Sequence, residues 1–224
     1  MKRPWRFHPF LLPNVLQLEM LPLEFLYRKA PHPAHVVLFP GAWNPPTLAH
    51  VAIAKAALRQ ADEVIWVMPR VLPHKNFEGP GFQARCRMME AVVRQTPGFS
   101  AAVSEGGLYA EMAAEARENF GLDTKVAFAL GRDAAERISG WDYGRPGVFE
   151  EFLGQHKLLV AARQGEYAPA ARHAASISAL PMEASWDEVS SSEVRRRIAG
   201  GEAWHNLVPQ VIIPMVESLY MESR

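Results

Sequence analysis

The chain has 224 residues, its 24 Lys plus Arg balance 24 Asp plus Glu, and 49% of it is hydrophobic. That length and apolarity suit one large α/β domain or two small ones, and exclude a disordered segment or a disulfide-stapled scaffold. Zero net charge argues against a broad nucleic-acid or membrane-surface footprint, and the single cysteine, Cys86, excludes an internal disulfide or a cysteine metal cage.

In chain order, the N-terminal stretch opens with Lys2, Arg3 and Arg6 and then runs apolar from Phe10 to Leu26. Pro13 and Pro22 break that run, and Asn14, Gln17, Glu19 and Glu24 punctuate it. It is too broken for a transmembrane helix and has no small-residue cleavage site, so a cytoplasmic chain is expected. Its apolar side chains predict a short irregular arm packed on its own domain or on a neighbouring subunit. The punctuation Pro31-His32-Pro33 predicts a boundary, with residues 1–34 as an appendage and 35–224 as the main domain.

Beyond it, apolar runs predict buried strands at 35–39, 63–68, 125–130 and 157–162, with weaker candidates at 99–103 and 176–180. Helical patterns lie between them at 47–60, 82–95, 108–119, 132–138, 191–199 and 208–221. This alternation predicts the α/β class, a doubly wound parallel sheet covered on both faces. Such sheets bind ligands beyond the carboxyl ends of their strands, where the strand order reverses.

Four stretches carry chemistry. FPGAWNPPTLAH, residues 39–50, follows the first clear strand. Pro45 and Pro46 suit the first turn of a helix and Asn44 its N-cap, while Thr47 and His50, three apart, share one face. Free amides and the positive dipole end would make an anion site there, with His50 donating to a phosphoryl oxygen whose charge grows during transfer. The bland alternative is an ordinary capped helix with a surface histidine. VSSSEVRRRIAGG, residues 189–201, has Ser190 and Glu193 at capping-box spacing and Gly200-Gly201 as a stop. Ser191, Ser192 and the first amides can meet phosphates while Arg195 reaches across to them; Arg196 and Arg197 read as surface residues. Lys75, in Pro73-His74-Lys75, matters only if it faces the same pocket. In Gly131-Arg132-Asp133 the glycine permits close backbone approach, and Asp133 can cap a helix or accept a ribose hydroxyl.

Together these pieces resemble the nucleotidyltransferase superfamily with the (H/T)xGH and ISSTxxR signatures, and more closely the bacterial nicotinate (nicotinamide) mononucleotide adenylyltransferases. The first signature stands as PGAWNPPTLAH, the family's PPHK loop as LPHK, its GxD element as GRD and ISSTxxR as VSSSEVR, followed by Leu207-Val208-Pro209. Order and spacing match over roughly residues 36 to 220. The resemblance implies a Rossmann-like nucleotidyltransferase fold and ATP as a substrate with Mg2+. A mononucleotide phosphate attacks the α-phosphorus of ATP and pyrophosphate leaves, with no covalent enzyme intermediate. It implies catalytic roles for Thr47, His50, Lys75 and Arg195. ATP contacts fall to Gly41, Ala42, Trp43, His50, Gly131, Asp133, Ser191, Ser192 and Arg195. The acceptor falls to Asn44, Lys75, Tyr109 and Trp141, and none of these residues is a dedicated metal ligand. Partners are these small molecules, not nucleic acid or membrane; a homo-oligomer stays open.

The chain departs from the family at Pro40, where glycine is usual, and at Ala42, Trp43 and Ala49, where Ser or Thr, Phe and Gly are usual. Leu108-Tyr109-Ala110 matches the family's Ser-Tyr-Thr only loosely, and Trp141 can stack on a flat base or belong to the core. These changes keep two other readings open: a sibling enzyme acting on phosphopantetheine or a phospho-alcohol, with ATP or CTP, and a non-catalytic nucleotide-binding protein.

Overall fold

The computed structural model describes residues 21–29, 33–72, 79–161, 167–182 and 186–221. Strands β1 (Glu24–Tyr27), β2 (His35–Pro40), β3 (Glu63–Pro69), β4 (Phe99–Ser104), β5 (Lys125–Gly131), β6 (Lys157–Ala161) and β7 (Ile177–Leu180) form one sheet. Its order is β1-β4-β3-β2-β5-β6-β7. Every neighbouring pair is parallel except β1 with β4. Helices α1 (Leu48–Leu58), α2 (Phe82–Val93), α3 (Tyr109–Phe120), α4 (Arg132–Ser139), α5 (Val148–Gln155), α6 (Ser191–Gly200) and α7 (Ile213–Met221) cover it.

Because side chains alternate along a strand, the buried strands feed two cores. Val37, Phe39, Trp66 and Met68 point to one face, against Ile53 of α1, Met89 of α2, Val194 of α6 and Val216 of α7. Val36, Leu38, Ile65 and Val67 point to the other, against Met112 of α3, Ala135 of α4 and Leu153 of α5. The chain builds outward from β2 to β3 and β4, then returns to place β5 on the other side of β2. The strand order therefore reverses between β2 and β5, paired from His35↔Lys125 to Leu38↔Phe128. Their carboxyl ends lead into α1 and α4, and a crevice for a ligand is expected there.

Part of the expected N-terminal arm is regular structure. Strand β1 adds to the outer edge of β4, and Asn119 of α3 exchanges two hydrogen bonds with the backbone of Leu23 (2.8 and 3.2 Å). Arg28 forks onto the carboxylate of Glu63 at 3.1–3.3 Å, and Glu63 is wholly buried at the start of β3. A four-residue edge strand paired on one side has too short a pattern to stand out by alternation. Residues 10–20 of the expected arm lie outside the described residues.

Helix α5 was not expected. Its two turns follow Gly147, at φ 85°, and bury only Phe149 and Leu153, too few positions to show a helical period. The helix expected over 208–221 begins instead as a 3-10 turn, Gln210–Ile212, after another at His205–Leu207. Pro209 and Pro214 each lack an N–H, which removes ladder donors from that stretch. No helix among the described residues is long and apolar enough to cross a membrane.

Candidate active site

The turn leaving β2 is held from below by β3. The carbonyl of Val67 accepts both the Gly41 N–H and the Trp43 indole N–H, each at 3.0 Å. Trp43 sits in the left-handed region at φ 50°, which costs a non-glycine residue about 1–2 kcal/mol. Burial of its ring against Phe39 and Trp66, centroids 5.1 and 4.5 Å away, offsets that. Only 2% of Trp43 is exposed, so its side chain is core rather than the ATP contact expected from the sequence. Gly41 makes room for that ring: a Cβ at 41 would stand 2.8–3.0 Å from three Trp43 ring atoms. Ala49 is also wholly buried, so its extra methyl enters the core and does not line an open cleft.

Helix α1 begins three residues later than its prolines suggest. Thr47, not Asn44, is the N-cap, and the Asn44–Pro45 peptide is cis. The Thr47 hydroxyl accepts the His50 N–H at 3.4 Å, and the Thr47 N–H donates to His50 Nδ1 at 3.0 Å. A histidine thus fills the position that Glu or Gln takes in a capping box. Accepting that N–H makes Nδ1 the lone-pair nitrogen, so the neutral ring carries its proton on Nε2. Thr47 is wholly buried with its oxygen 2.9 Å from Nδ1; it orients His50 instead of facing the cleft.

Three carbonyls of the same turn face the protein. Arg85 of α2, a buried residue the sequence reading did not single out, donates Nη1 to Ala42 O at 2.8 Å, and burial lowers the pKa of its guanidinium. Ser191 Oγ donates to Pro45 O at 2.7 Å, and Arg195 Nη1 donates to Asn44 O at 2.6 Å. The two signatures, far apart in sequence, are therefore in direct contact. Arg85 stands three residues after Phe82 and four before Met89, on the apolar face of a predicted helix, and that spacing was the available signal for it.

In α6 the capping box is only half made. Ser190 Oγ accepts the Glu193 N–H at 3.1 Å, but the Glu193 carboxylate turns to Arg196 and Arg197. Those two arginines hold the Glu193 carboxyl well down, at about 2. Arg196 also pairs with Glu202 and Arg197 with the Ala203 carbonyl, both away from the first signature. Only Arg195 of the three reaches the β2 turn, while its Nη2 also meets Ser192 Oγ at 3.3 Å.

Across the switch, Gly131 ends β5 and stands at the N-cap of α4 with no side-chain cap, so Asp133 is not a capping residue. Asp133 is exposed in the first turn, while Arg132 pairs with Glu136. At the start of α3, Glu111 accepts the N–H groups of Gly107 and Leu108, both at 2.9 Å, which closes that helix end to another anion. Tyr109 packs on Phe128 at 5.0 Å, and burial pushes its phenol pKa up. Trp141 lies on the surface after α4, 37% exposed, and is not core. Lys75 lies outside the described residues.

The arrangement can hold an extended anion: the N-termini of α1 and α6 adjoin, with a neutral imidazole donor and one guanidinium beside them. Among the described residues no group of three or more His, Cys, Asp or Glu side chains could hold an ion, so they form no cage for Mg2+. An ion carried on the phosphates of ATP belongs to the substrate.

A cytidylyltransferase-like family model matches residues 38–197. A Treponema pallidum protein named "Probable nicotinate-nucleotide adenylyltransferase" is 30% identical over 195 residues, covering 79% of this chain and 93% of the relative. A Salinibacter ruber protein of the same name is 29% identical over 190 residues, covering 82% and 95%. The Plasmodium falciparum nicotinic acid mononucleotide adenylyltransferase complexed with NaAD superposes with a TM-score of 0.64 over 82% of this chain and 95% of that one. At 16% identity that is a likeness of fold. The family match and the coverage of the relatives agree with the joined signatures: the chain belongs to the cytidylyltransferase-like nucleotidyltransferases, among the nicotinate-nucleotide adenylyltransferases.

Proposed function

We propose that the chain transfers the adenylyl group of ATP to nicotinate mononucleotide, releasing pyrophosphate, as a step of NAD biosynthesis. The observation that carries this reading is the junction of the two signatures, Arg195 on Asn44 and Ser191 on Pro45, which sets two helix N-termini side by side. Such a junction suits the triphosphate of a nucleotide. The names of the relatives favour nicotinate mononucleotide as the acceptor.

In this reading an oxygen of the acceptor phosphate attacks the α-phosphorus of ATP. The new P–O bond forms as the bond from the α-phosphorus to the bridging oxygen of pyrophosphate breaks. His50 donates its Nε2 proton as a hydrogen bond to the phosphoryl oxygens, where charge builds in the transition state. Arg195 neutralises the triphosphate, and the resemblance assigns Lys75, outside the described residues, to the same task. The rest is positioning, with no covalent enzyme intermediate. Gly131 leaves backbone approach open, because a Cβ there would meet no described atom within 4 Å. Asp133, exposed beside it, accepts a ribose hydroxyl of ATP, and the surface ring of Trp141 stacks on the pyridine base. Residues 35–224 act as the catalytic unit, with 1–34 accessory to it.

The test is pyrophosphate release by the purified chain with ATP or CTP against nicotinate mononucleotide, nicotinamide mononucleotide, phosphopantetheine and phospho-alcohols. Dinucleotide from ATP and nicotinate mononucleotide is the expected product. Turnover confined to phosphopantetheine or to CTP with a phospho-alcohol would replace this reading by a sibling activity; nucleotide binding without turnover would make the protein a non-catalytic binder.

A further inference from the structure

Asn44 is where the turn after β2 meets three other segments. Its carbonyl accepts from Arg195 of α6, and its side-chain Oδ1 accepts from the hydroxyl of Tyr220, in the last turn of α7, at 2.5 Å. The same amide lies near Gly79, which has φ 116°. A Cβ at 79 would stand 3.2 Å from Asn44 Oδ1 and 3.3 Å from Nδ2. Asn44 itself is only 7% exposed, so solvent cannot readily replace a lost partner.

We propose that Tyr220 is a positioning residue for nucleotidyl transfer, acting through Asn44 to hold the turn that ends in Thr47 and His50. The Tyr220 hydroxyl holds the Asn44 amide, and Gly79 leaves that amide its room, which fixes the residue whose carbonyl Arg195 uses. Three residues further on, Thr47 sets the tautomer and direction of the imidazole. A slack Asn44 therefore loosens both ends of the phosphate cradle, the guanidinium on one side and the histidine on the other. Tyr220 suits the task because its ring packs on the core beneath α7. Burial also raises its phenol pKa, so it remains a donor across the working range of pH. The last helix of the chain thereby becomes part of the active-site scaffold without touching the reacting atoms.

The activity arm of the test rests on the proposed transferase reading; the exchange arm does not. Tyr220→Phe keeps the ring and removes one donor, and Gly79→Ala sets a methyl 3.2–3.3 Å from the polar atoms of the Asn44 amide. In the full chain without ligand, hydrogen exchange of the amides at 41–51 should quicken by about tenfold in both variants, with the melting temperature of Tyr220→Phe nearly unchanged. With ATP and nicotinate mononucleotide, Tyr220→Phe should lower kcat by about 5- to 30-fold while KM for ATP moves by less than about threefold. Adding Tyr220→Phe to Asn44→Ala should cause no further loss, because both changes remove the same bond. Unchanged exchange at 41–51 would overturn the proposal, and so would multiplied losses in the double variant. A wild-type chain that forms no dinucleotide would sink the transferase reading alone, leaving the exchange data to decide the role of Tyr220.

Discussion

Arg195 and Asn44 stand 151 positions apart, and Arg195 Nη1 donates to the Asn44 carbonyl at 2.6 Å. That bond fastens the start of α6 to the turn leaving β2. A guanidinium has five N–H donors, so one bond to a carbonyl leaves others for an incoming phosphate. Arg195→Ala should weaken ATP binding by about 10- to 100-fold, the loss expected for a hydrogen bond to a charged group. Arg196→Ala and Arg197→Ala should stay within about twofold, because both side chains turn to Glu193. Titration calorimetry on the three variants checks this; equal losses would mean a diffuse basic surface instead.

His50→Ala should lower kcat by about a hundredfold or more, typical of losing one transition-state donor, with the fold intact. Thr47→Val keeps the backbone N–H that His50 Nδ1 accepts but removes the hydroxyl at 2.9 Å. Its loss should be smaller, about three- to tenfold in kcat, because one of two bonds to the ring survives. Steady-state rates on variants with a native circular dichroism spectrum decide it. Near-normal turnover of His50→Ala would remove the histidine from the mechanism.

Gly41→Ala sets a methyl 2.8 Å from the buried Trp43 ring. Trp43 is walled in by Phe39 and Trp66 and cannot retreat. Overpacking of this kind costs about 1–3 kcal/mol. For a domain of this size the melting temperature should fall by roughly 3–10 °C, read by calorimetry. An unchanged midpoint would show that the turn shifts freely and that glycine is not required there.

Arg28 is the partner of a carboxylate that is wholly buried. Removing one member of such a pair costs about 3 kcal/mol, at the low end here because Ser100 still donates to Glu63. Arg28→Ala should therefore lower stability in urea, and adding Glu63→Gln should restore part of it. Deleting residues 1–29 should go further, uncovering the edge of β4 and producing aggregates or a new oligomeric state by light scattering. A truncated chain with native mass, solubility and midpoint would show that β1 and Arg28 are dispensable.

His156 gives a pH dependence with a defined sign. Its Nδ1 donates to Val126 O at 2.9 Å, its Nε2 accepts from Arg117 at 3.3 Å, and burial lowers its pKa below 6.5. Between the folded and unfolded values the unfolded chain binds more protons, so stability falls as pH drops through the ordinary histidine value of 6.5. Buried Glu115, whose pKa is raised, opposes this at lower pH. His156→Gln should flatten the slope in that window, measured as urea midpoints at half-unit pH steps. An equal slope in the variant would assign the acid sensitivity elsewhere.

Much of this protein was legible because its information is local. Alternating apolar runs and helical periods mark the six parallel strands by their own composition, since a strand buried on both faces must be apolar throughout. Thr47 and His50 lie within one helical turn, so spacing alone puts them together, and Ser190 caps α6 through the residue three ahead. What tertiary structure decided is the direction in which loop side chains point. Trp43 carries no mark that sends it into the core; the register of β2 on β3, which presents Val67 O to its indole, does that. Strand β1 exists because β4 offers an open edge and Glu63 a buried charge, neither visible in residues 21–29 themselves. Tyr220 meets Asn44 across 176 positions, a closure that depends on how the sheet, α6 and α7 pack together. Periodicity reports which face of an element is buried, whereas hydrogen bonds between distant loops form only once the whole chain has closed on its core.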